Sequence, residues 1–79
     1  MEPLDGNAIA GELLEHFGAE MTEARGRCTE CGGRPCVAEL LVYVSGPGAV
    51  ARCPACGSVA LVVVSIRGEA RVSLGTLEL

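Results

Sequence analysis

The chain has 79 residues, which is enough for one small domain over residues 1–79. Apolar residues make up 49% of the composition but aromatic residues only 3%, so a core of Val, Leu and Ala would need a further source of stability. The formal net charge of −4 argues against a general nucleic-acid binder and against attraction to an anionic membrane, because both require a positive surface.

The N-terminal stretch is predicted to form a helix over residues 4–18. Asp5 or Asn7 can cap its start, because a short polar side chain accepts a hydrogen bond from an unpaired backbone N–H. Gly18 suits the left-handed position just past the end of a helix. The apolar stripe expected to face the core consists of Ile9, Ala10, Leu13, Leu14 and Phe17.

The same stretch gives an expectation about location. It is acidic and lacks a basic segment followed by an apolar one, so we expect no signal peptide. The longest apolar run, VALVVV at residues 59–64, is too short to span a bilayer. We therefore expect a cytoplasmic protein with no membrane partner.

Residues 19–79 are predicted to form mostly β-structure. A short strand is expected within residues 19–28, and residues 37–45 and 49–53 flank the turn sequence GPG, which predicts a hairpin. Residues 58–66 predict a strand that is apolar on both faces. Residues 69–79 alternate between apolar and polar positions and are expected to add a C-terminal β-hairpin.

The strand with two apolar faces also suggests how the chain associates. Both of its sides should be covered, and a chain of this length has few elements to cover them. A second copy would provide the missing layer, so a homodimer is one expected arrangement.

Two cysteine pairs carry the strongest motif in the chain. Cys28 and Cys31 lie in CTECGG, and Cys53 and Cys56 lie in CPACGS. The intervening residues 32–52 make a spacing slightly longer than the usual zinc-ribbon window of about 15–20 residues. The pattern predicts that all four cysteines bind one metal ion.

The residues around each pair favour the tight turn called a zinc knuckle. Gly32 and Gly57 follow the second cysteine of each pair, where the backbone needs a left-handed conformation or a close approach. Pro54 fixes φ inside the second pair. The predicted fold is therefore a small, mostly β, metal-stabilised domain: an N-terminal helix and an antiparallel zinc ribbon with rubredoxin-like knuckles.

A closed shell of four thiolates leaves no open position on zinc, so the expected role is structural and not catalytic. The sequence offers no Ser/His/Asp set, phosphate loop or carboxylate pair for a catalytic proposal. A redox dithiol would be a single pair beside a βαβ unit, and a two-disulfide framework suits a secreted chain. The odd total of five cysteines also fits poorly with full disulfide pairing.

Several other residues stay open to more than one interpretation. Cys36 is expected to be a small buried apolar residue, the alternatives being a reactive thiol or a substitute ligand. His16 is expected to be solvated. The arginines near the knuckles would offset the site charge of about −2, or alternatively contact phosphate or RNA. These arginines are Arg25, Arg27, Arg34 and Arg52.

The segments LDGNAIAG, RCTECG and RCPACGSVALVVV together resemble an uncharacterised actinobacterial family of small zinc-ribbon-like proteins, a domain of unknown function. The resemblance covers nearly the whole chain. It implies that the four paired cysteines are metal ligands and that residues 4–11 are a family feature. It also implies an association with flavin- or molybdenum-dependent oxidoreductases.

The knuckles are similar to those of rubredoxins as well, in which iron replaces zinc and carries one electron. An acidic surface suits a carrier that docks on a basic reductase. Against this alternative, the chain has almost no aromatic residues. The sequence therefore predicts a non-catalytic zinc-ribbon protein that binds a protein partner. The alternative is an iron-containing electron carrier, and a nucleic-acid-binding ribbon is a weaker alternative.

Overall fold

The computed structural model describes residues 3–79. It contains one α-helix, two short 3-10 turns and six strands, and it confirms the predicted fold class of a mostly β chain with an N-terminal helix and antiparallel sheets. The 3-10 turns are Gly6–Ile9 and Val37–Glu39, the helix α1 is Ala10–Phe17, and the strands are β1 (Arg27–Cys28), β2 (Leu41–Ser45), β3 (Gly48–Arg52), β4 (Val59–Ile66), β5 (Glu69–Leu74) and β6 (Leu77–Glu78).

The N-terminal stretch is helical over a shorter range than predicted. Leu4 exchanges two backbone hydrogen bonds with Val42, each 2.8 Å long, so its backbone groups are committed to the sheet edge and cannot begin a helix. Asp5 then caps the first 3-10 turn by accepting a hydrogen bond from the Asn7 N–H at 3.0 Å. Gly18 ends α1 in the predicted left-handed conformation, with φ 73°.

The main sheet has four antiparallel strands in the order β2-β3-β4-β5. The predicted hairpin around GPG is present, with Val50 paired to both Tyr43 and Val62 across the sheet. Its first strand was predicted to start too early. Residues 37–39 form a 3-10 turn instead, because the Glu39 carboxylate accepts a hydrogen bond from the Cys36 N–H at 2.7 Å and folds the chain back.

The C-terminal segment does not continue as one strand. The predicted hairpin forms between β4 and β5, but β5 ends at Leu74 and the chain turns at Gly75. The final strand β6 pairs with β1 in a separate two-stranded sheet. Of residues 19–28, within which a short strand was predicted, Arg27–Cys28 forms β1 and Arg25 forms an isolated antiparallel bridge with Cys36.

The helix and the sheet form two layers, which agrees with a smallest molecular dimension of 17 Å. Helix α1 covers only one face of the sheet, which we call the inner face. Its buried residue Leu13 joins Ile9 of the first 3-10 turn and Leu40 in the core. The buried residues of the inner face are Val42, Ala49, Ala51, Leu61 and Val63.

The apolar stripe predicted on the helix is narrower than expected. Ile9 and Leu13 are buried, but Leu14 is 48% exposed and Phe17 is 38% exposed, because the short helix crosses only part of the inner face. His16 is exposed as predicted and contacts the Phe17 ring edge-on, with centroids 4.9 Å apart. Within residues 3–79, no helix has the length and apolarity needed to cross a bilayer.

Candidate metal centre

The two cysteine pairs lie in turns with the same backbone geometry. In the first turn the Cys28 carbonyl accepts a hydrogen bond from the Gly32 N–H at 2.8 Å, and in the second the Cys53 carbonyl accepts one from the Gly57 N–H at 2.9 Å. The glycines have φ values of 76° and 77°, in the left-handed region that side chains disfavour. The spacing of the sequence motif thus translates into two equivalent knuckles.

The knuckles bring the sulfur atoms of Cys28, Cys31, Cys53 and Cys56 within 4.8 Å of one another. The Sγ–Sγ distance is 3.7 Å from Cys28 to Cys56 and 3.7 Å from Cys31 to Cys53. Four thiolates bound at about 2.3 Å around a tetrahedral ion would be separated by roughly 3.8 Å. The donor set and its spacing therefore fit one zinc or iron ion.

The same distances show what the cysteines do not form. A disulfide requires sulfur atoms at about 2.05 Å, so neither of these cross-knuckle pairs is bonded. All five cysteines are free thiols in the structure. Cys28 and Cys53 are buried, whereas Cys31 and Cys56 are exposed, so one side of the cluster faces the core and the other faces solvent.

Two hydroxyl groups lie beside the cluster. The Ser58 Oγ is 3.1 Å from the Cys56 Sγ and 3.5 Å from the Cys28 Sγ. The Thr76 Oγ1 is 2.9 Å from the Ser58 Oγ and accepts a hydrogen bond from the Cys28 Sγ at 3.8 Å. A hydroxyl that donates to a thiolate ligand spreads its negative charge and orients it around a metal, and Ser58 lies within reach of two of the sulfurs.

These contacts shift the acidity of the thiols. The Ser58 hydroxyl and the N–H groups of Cys31 and Glu30 outweigh burial and lower the pKa of Cys28 to about 5. Ser58 also lowers the pKa of Cys56, through its side chain and its backbone N–H. Both shifts favour the anionic form that a metal requires.

The pKa of Cys31 moves in the opposite direction. The Gly33 N–H lowers it, but the neighbouring sulfur of Cys28, partial burial and the sulfurs of Cys53 and Cys56 together outweigh that effect. The result is a pKa raised to about 11. Binding of a cation would reverse this repulsion, because a divalent ion stabilises all four thiolates at once.

Substitution of Ser58 by Ala tests the hydroxyl contacts. We expect the affinity for zinc to fall about tenfold, because the variant removes hydroxyl contacts to both Cys28 and Cys56. Competition with a chromophoric chelator would measure the change. Ser73→Ala, on the exposed part of β5, is the matched control and should bind zinc like the wild type. Equal affinities for all three proteins would contradict the assigned role of Ser58.

Sequence reasoning missed both hydroxyls. The sequence shows Ser58 directly after CPACG, but it does not show that the Ser58 hydroxyl lies beside Cys28 of the other knuckle. Thr76 comes from the turn between β5 and β6, so no local pattern links it to the cysteines. The pairing of β6 with β1, together with the hydrogen bond from the Thr76 N–H to the Val59 carbonyl at 2.9 Å, places it there.

The arginines expected around the metal site contact backbone carbonyls and carboxylates of other residues. Arg52 donates to the Gly57 carbonyl at 2.8 Å and thereby holds the second knuckle. Arg27 pairs with Glu78 at 3.3 Å, across β1 and β6. Arg25 bonds to the Arg34 carbonyl and lies 3.8 Å from the Glu39 carboxylate. Among the described residues, none of these side chains has a hydrogen bond to one of the four clustered sulfurs.

Cys36 lies outside the cluster. It is half-buried, not fully buried as expected, and its thiol donates to the Glu39 Oε1 at 3.1 Å. This hydrogen bond, together with burial, raises the pKa of Cys36 although Arg25 opposes the shift. The Arg25 guanidinium also donates to the Cys36 Sγ at 3.5 Å, and the two residues form an antiparallel bridge, so Cys36 contacts both its own turn and the segment before β1.

The raised pKa makes Cys36 a slow nucleophile. Since a higher pKa leaves less thiolate at a given pH, iodoacetamide should alkylate Cys36 of the zinc-loaded protein more slowly at pH 8 than it alkylates an ordinary exposed cysteine. Glu39→Gln removes the carboxylate charge, so its rate should rise and its rate–pH profile should move to lower pH. Mass spectrometry of the labelled peptide would follow the rate. An unchanged profile in Glu39→Gln would contradict this account.

Comparison with known proteins places the chain in a family. A family model of unknown function matches residues 1–79. The chain belongs to DUF6510. This confirms the expected membership of an uncharacterised family, while an actinobacterial source stays a prediction. No curated protein and no solved structure matches this DUF6510 member.

Proposed function

We propose that this DUF6510 protein is a non-catalytic zinc ribbon, in which a structural zinc ion holds a small domain in shape for binding to a protein partner. The supporting observation is the cluster of four sulfurs within 4.8 Å, supplied in pairs by two equivalent knuckles. A metal with four protein ligands has no free position for substrate or water. Its contribution is then to folding.

Elemental analysis tests the metal. Protein expressed with zinc and iron both available should contain one zinc ion per chain and be colourless. Cys36→Ser should retain one zinc ion per chain, because Cys36 lies outside the cluster. Cys53→Ser should lose the zinc, because Cys53 is one of the four ligands. Metal-free wild type, or equal metal content in the two variants, would contradict the proposal.

The alternative is a rubredoxin-like electron carrier with iron in the same cluster. The observation in its favour is the exposure of Cys31 and Cys56, since electron transfer needs a short path from the metal to the surface. Such a protein would be red, with visible absorption that disappears on reduction. A colourless preparation with full zinc occupancy would contradict this alternative.

The partner is proposed to be a protein, with an oxidoreductase suggested by the family resemblance. Nucleic acid is disfavoured because the net charge is −4 and three of the four arginines near the knuckles are engaged in contacts within the chain. We propose a cytoplasmic location, because thiolate ligands persist in a reducing compartment. Purification of the tagged protein from its native cell would identify the partner, and recovery of RNA instead would contradict this part of the proposal.

A further inference from the structure

A pocket of about 240 Å³ lies beside the start of β1. Three of the six basic residues of the chain line it, although the chain has a net charge of −4. Gly26 is buried and its backbone forms the floor, because alternation along an extended segment places the side chains of its two neighbours on the solvent side. We call this site the arginine pocket. It is lined by Arg25, Gly26, Arg27, Arg34 and Glu78.

Two of the arginines in the pocket lie directly opposite each other. Backbone hydrogen bonds of 3.1 and 2.8 Å join residues 25–28 to residues 33–36 in antiparallel register. Arg27 and Arg34 occupy the position between these two hydrogen bonds, where facing side chains are closest. Like charges at such a position destabilise the pairing, so an anion held between the two guanidinium groups would stabilise it.

The acidic residues near the pocket do not balance its charge. Arg27 pairs with Glu78 at 3.3 Å, and Arg25 lies 3.8 Å from the Glu39 carboxylate. Within residues 3–79, the Arg34 guanidinium has neither an ion pair nor a hydrogen bond. Three positive groups and two negative ones thus leave a single positive charge, located on Arg34.

We propose that the arginine pocket binds one carboxylate group from an acidic segment of a protein partner, held between Arg34 and Arg27. The inference rests on the proposed function, because it names the chemistry of the partner that the zinc ribbon binds. A guanidinium presents two parallel N–H groups in the geometry that a carboxylate accepts. One carboxylate also matches the single uncompensated charge, whereas a phosphate monoester carries about −1.5 to −2.

The charge of the whole chain separates a carboxylate from a nucleic acid. An extended polyanion would also meet the acidic remainder of a surface whose net charge is −4. Charges beyond the Debye length of about 8–10 Å are largely screened at physiological salt, so a single carboxylate in the pocket interacts mainly with the arginines. A short acidic peptide segment is therefore favoured over RNA or DNA.

The backbone around the pocket is held in place, and one carboxylate already reaches it. Pro35 restricts the preceding Arg34 to an extended conformation, and the Arg34 carbonyl accepts a hydrogen bond from the Arg25 guanidinium. The Arg27 and Glu78 side chains are 56% and 63% exposed, so water screens their ion pair and an incoming carboxylate can replace it. Glu78 is thus a competitor for the pocket within the chain itself.

Titration of the zinc-loaded, ¹⁵N-labelled protein with a synthetic peptide of four glutamates, followed by NMR, tests the proposal. Amide signals of residues 25–27 should shift and saturate, with a dissociation constant on the order of 1 mM. Arg34→Gln should weaken binding about tenfold, and Glu78→Gln should strengthen it about threefold by removing the competitor. The controls Arg67→Gln and Glu15→Gln make the same charge changes at exposed positions outside the pocket and should bind like the wild type.

Several outcomes would overturn the proposal. Equal weakening by Arg34→Gln and Arg67→Gln would show a general charge effect, and a Glu78→Gln variant that binds no more tightly than Glu15→Gln would remove the competitor. Inorganic phosphate or a short RNA that shifts the same amide signals at lower concentration than the peptide would overturn the choice of a carboxylate. Metal content measured on the same samples separates the two proposals: a protein with one zinc ion per chain that does not bind the peptide would leave the structural zinc site in place.

Discussion

Removal of the metal is expected to unfold the chain. Structural zinc contributes about 10–16 kcal/mol in zinc-finger peptides, whereas a core in a chain of this size supplies roughly 3–5 kcal/mol. Chelation should therefore abolish the cooperative thermal transition followed by circular dichroism. Zinc added back should restore it. A melting curve that is the same before and after complete removal of the metal would contradict the structural role.

Substitution of single cysteines sharpens this test. Cys28→Ser and Cys53→Ser each remove a buried ligand and should give chains that are largely unfolded even with excess zinc. Cys36→Ser is the matched control, since its sulfur lies outside the cluster, and it should melt within a few degrees of the wild type. Equal destabilisation by all three substitutions would show that the loss of a thiol, and not the loss of a ligand, is responsible.

Gly6→Ala is expected to destabilise the chain by about 3 kcal/mol. Gly6 is buried, and a Cβ atom at this position would overlap the backbone carbonyl of Val37 in the second 3-10 turn. The turn would have to move away from the N-terminal segment, which would disturb the core at Val37 and Ile9. Urea unfolding of the zinc-loaded protein would measure the change.

The same glycine-to-alanine change elsewhere provides the control. Gly11 lies within helix α1, and a Cβ atom added there would meet nothing within 4 Å. Gly11→Ala should therefore stabilise the protein by about 1 kcal/mol, through the higher helix propensity of alanine. If the two variants shifted the urea midpoint in the same direction, steric overlap at Gly6 would be the wrong explanation.

These contacts also give the LDGN opening a structural account. Leu4 pairs with Val42, Asp5 caps the first turn and Gly6 allows close approach to Val37. The sequence predicted a cap and a helix here, because a short segment shows only its local helix and turn propensities and not its long-range contacts. The bridge to the sheet edge is a long-range contact, and it shortened the helix relative to the prediction.

Prediction from the sequence succeeded where periodicity and short motifs determine the structure. The β-forming residues on either side of the turn sequence GPG predicted the hairpin of β2 and β3, and the glycines after each cysteine pair predicted left-handed turns. It failed at residues 37–39, where the Glu39 side chain bonds to the Cys36 N–H, and at Gly75, where the chain leaves the sheet. Both failures depend on hydrogen bonds or pairings that residue type alone does not specify.

The pairing of β6 with β1 has a consequence for the order of folding. The Thr29 N–H of the first knuckle donates to the Thr76 carbonyl at 2.8 Å, and Cys28 pairs with Leu77. These residues are far apart in the sequence, so the first knuckle acquires its native neighbours only when a long loop closes. The entropy lost in that closure makes it a slow step, whereas the hairpins of the main sheet form from segments that are already adjacent.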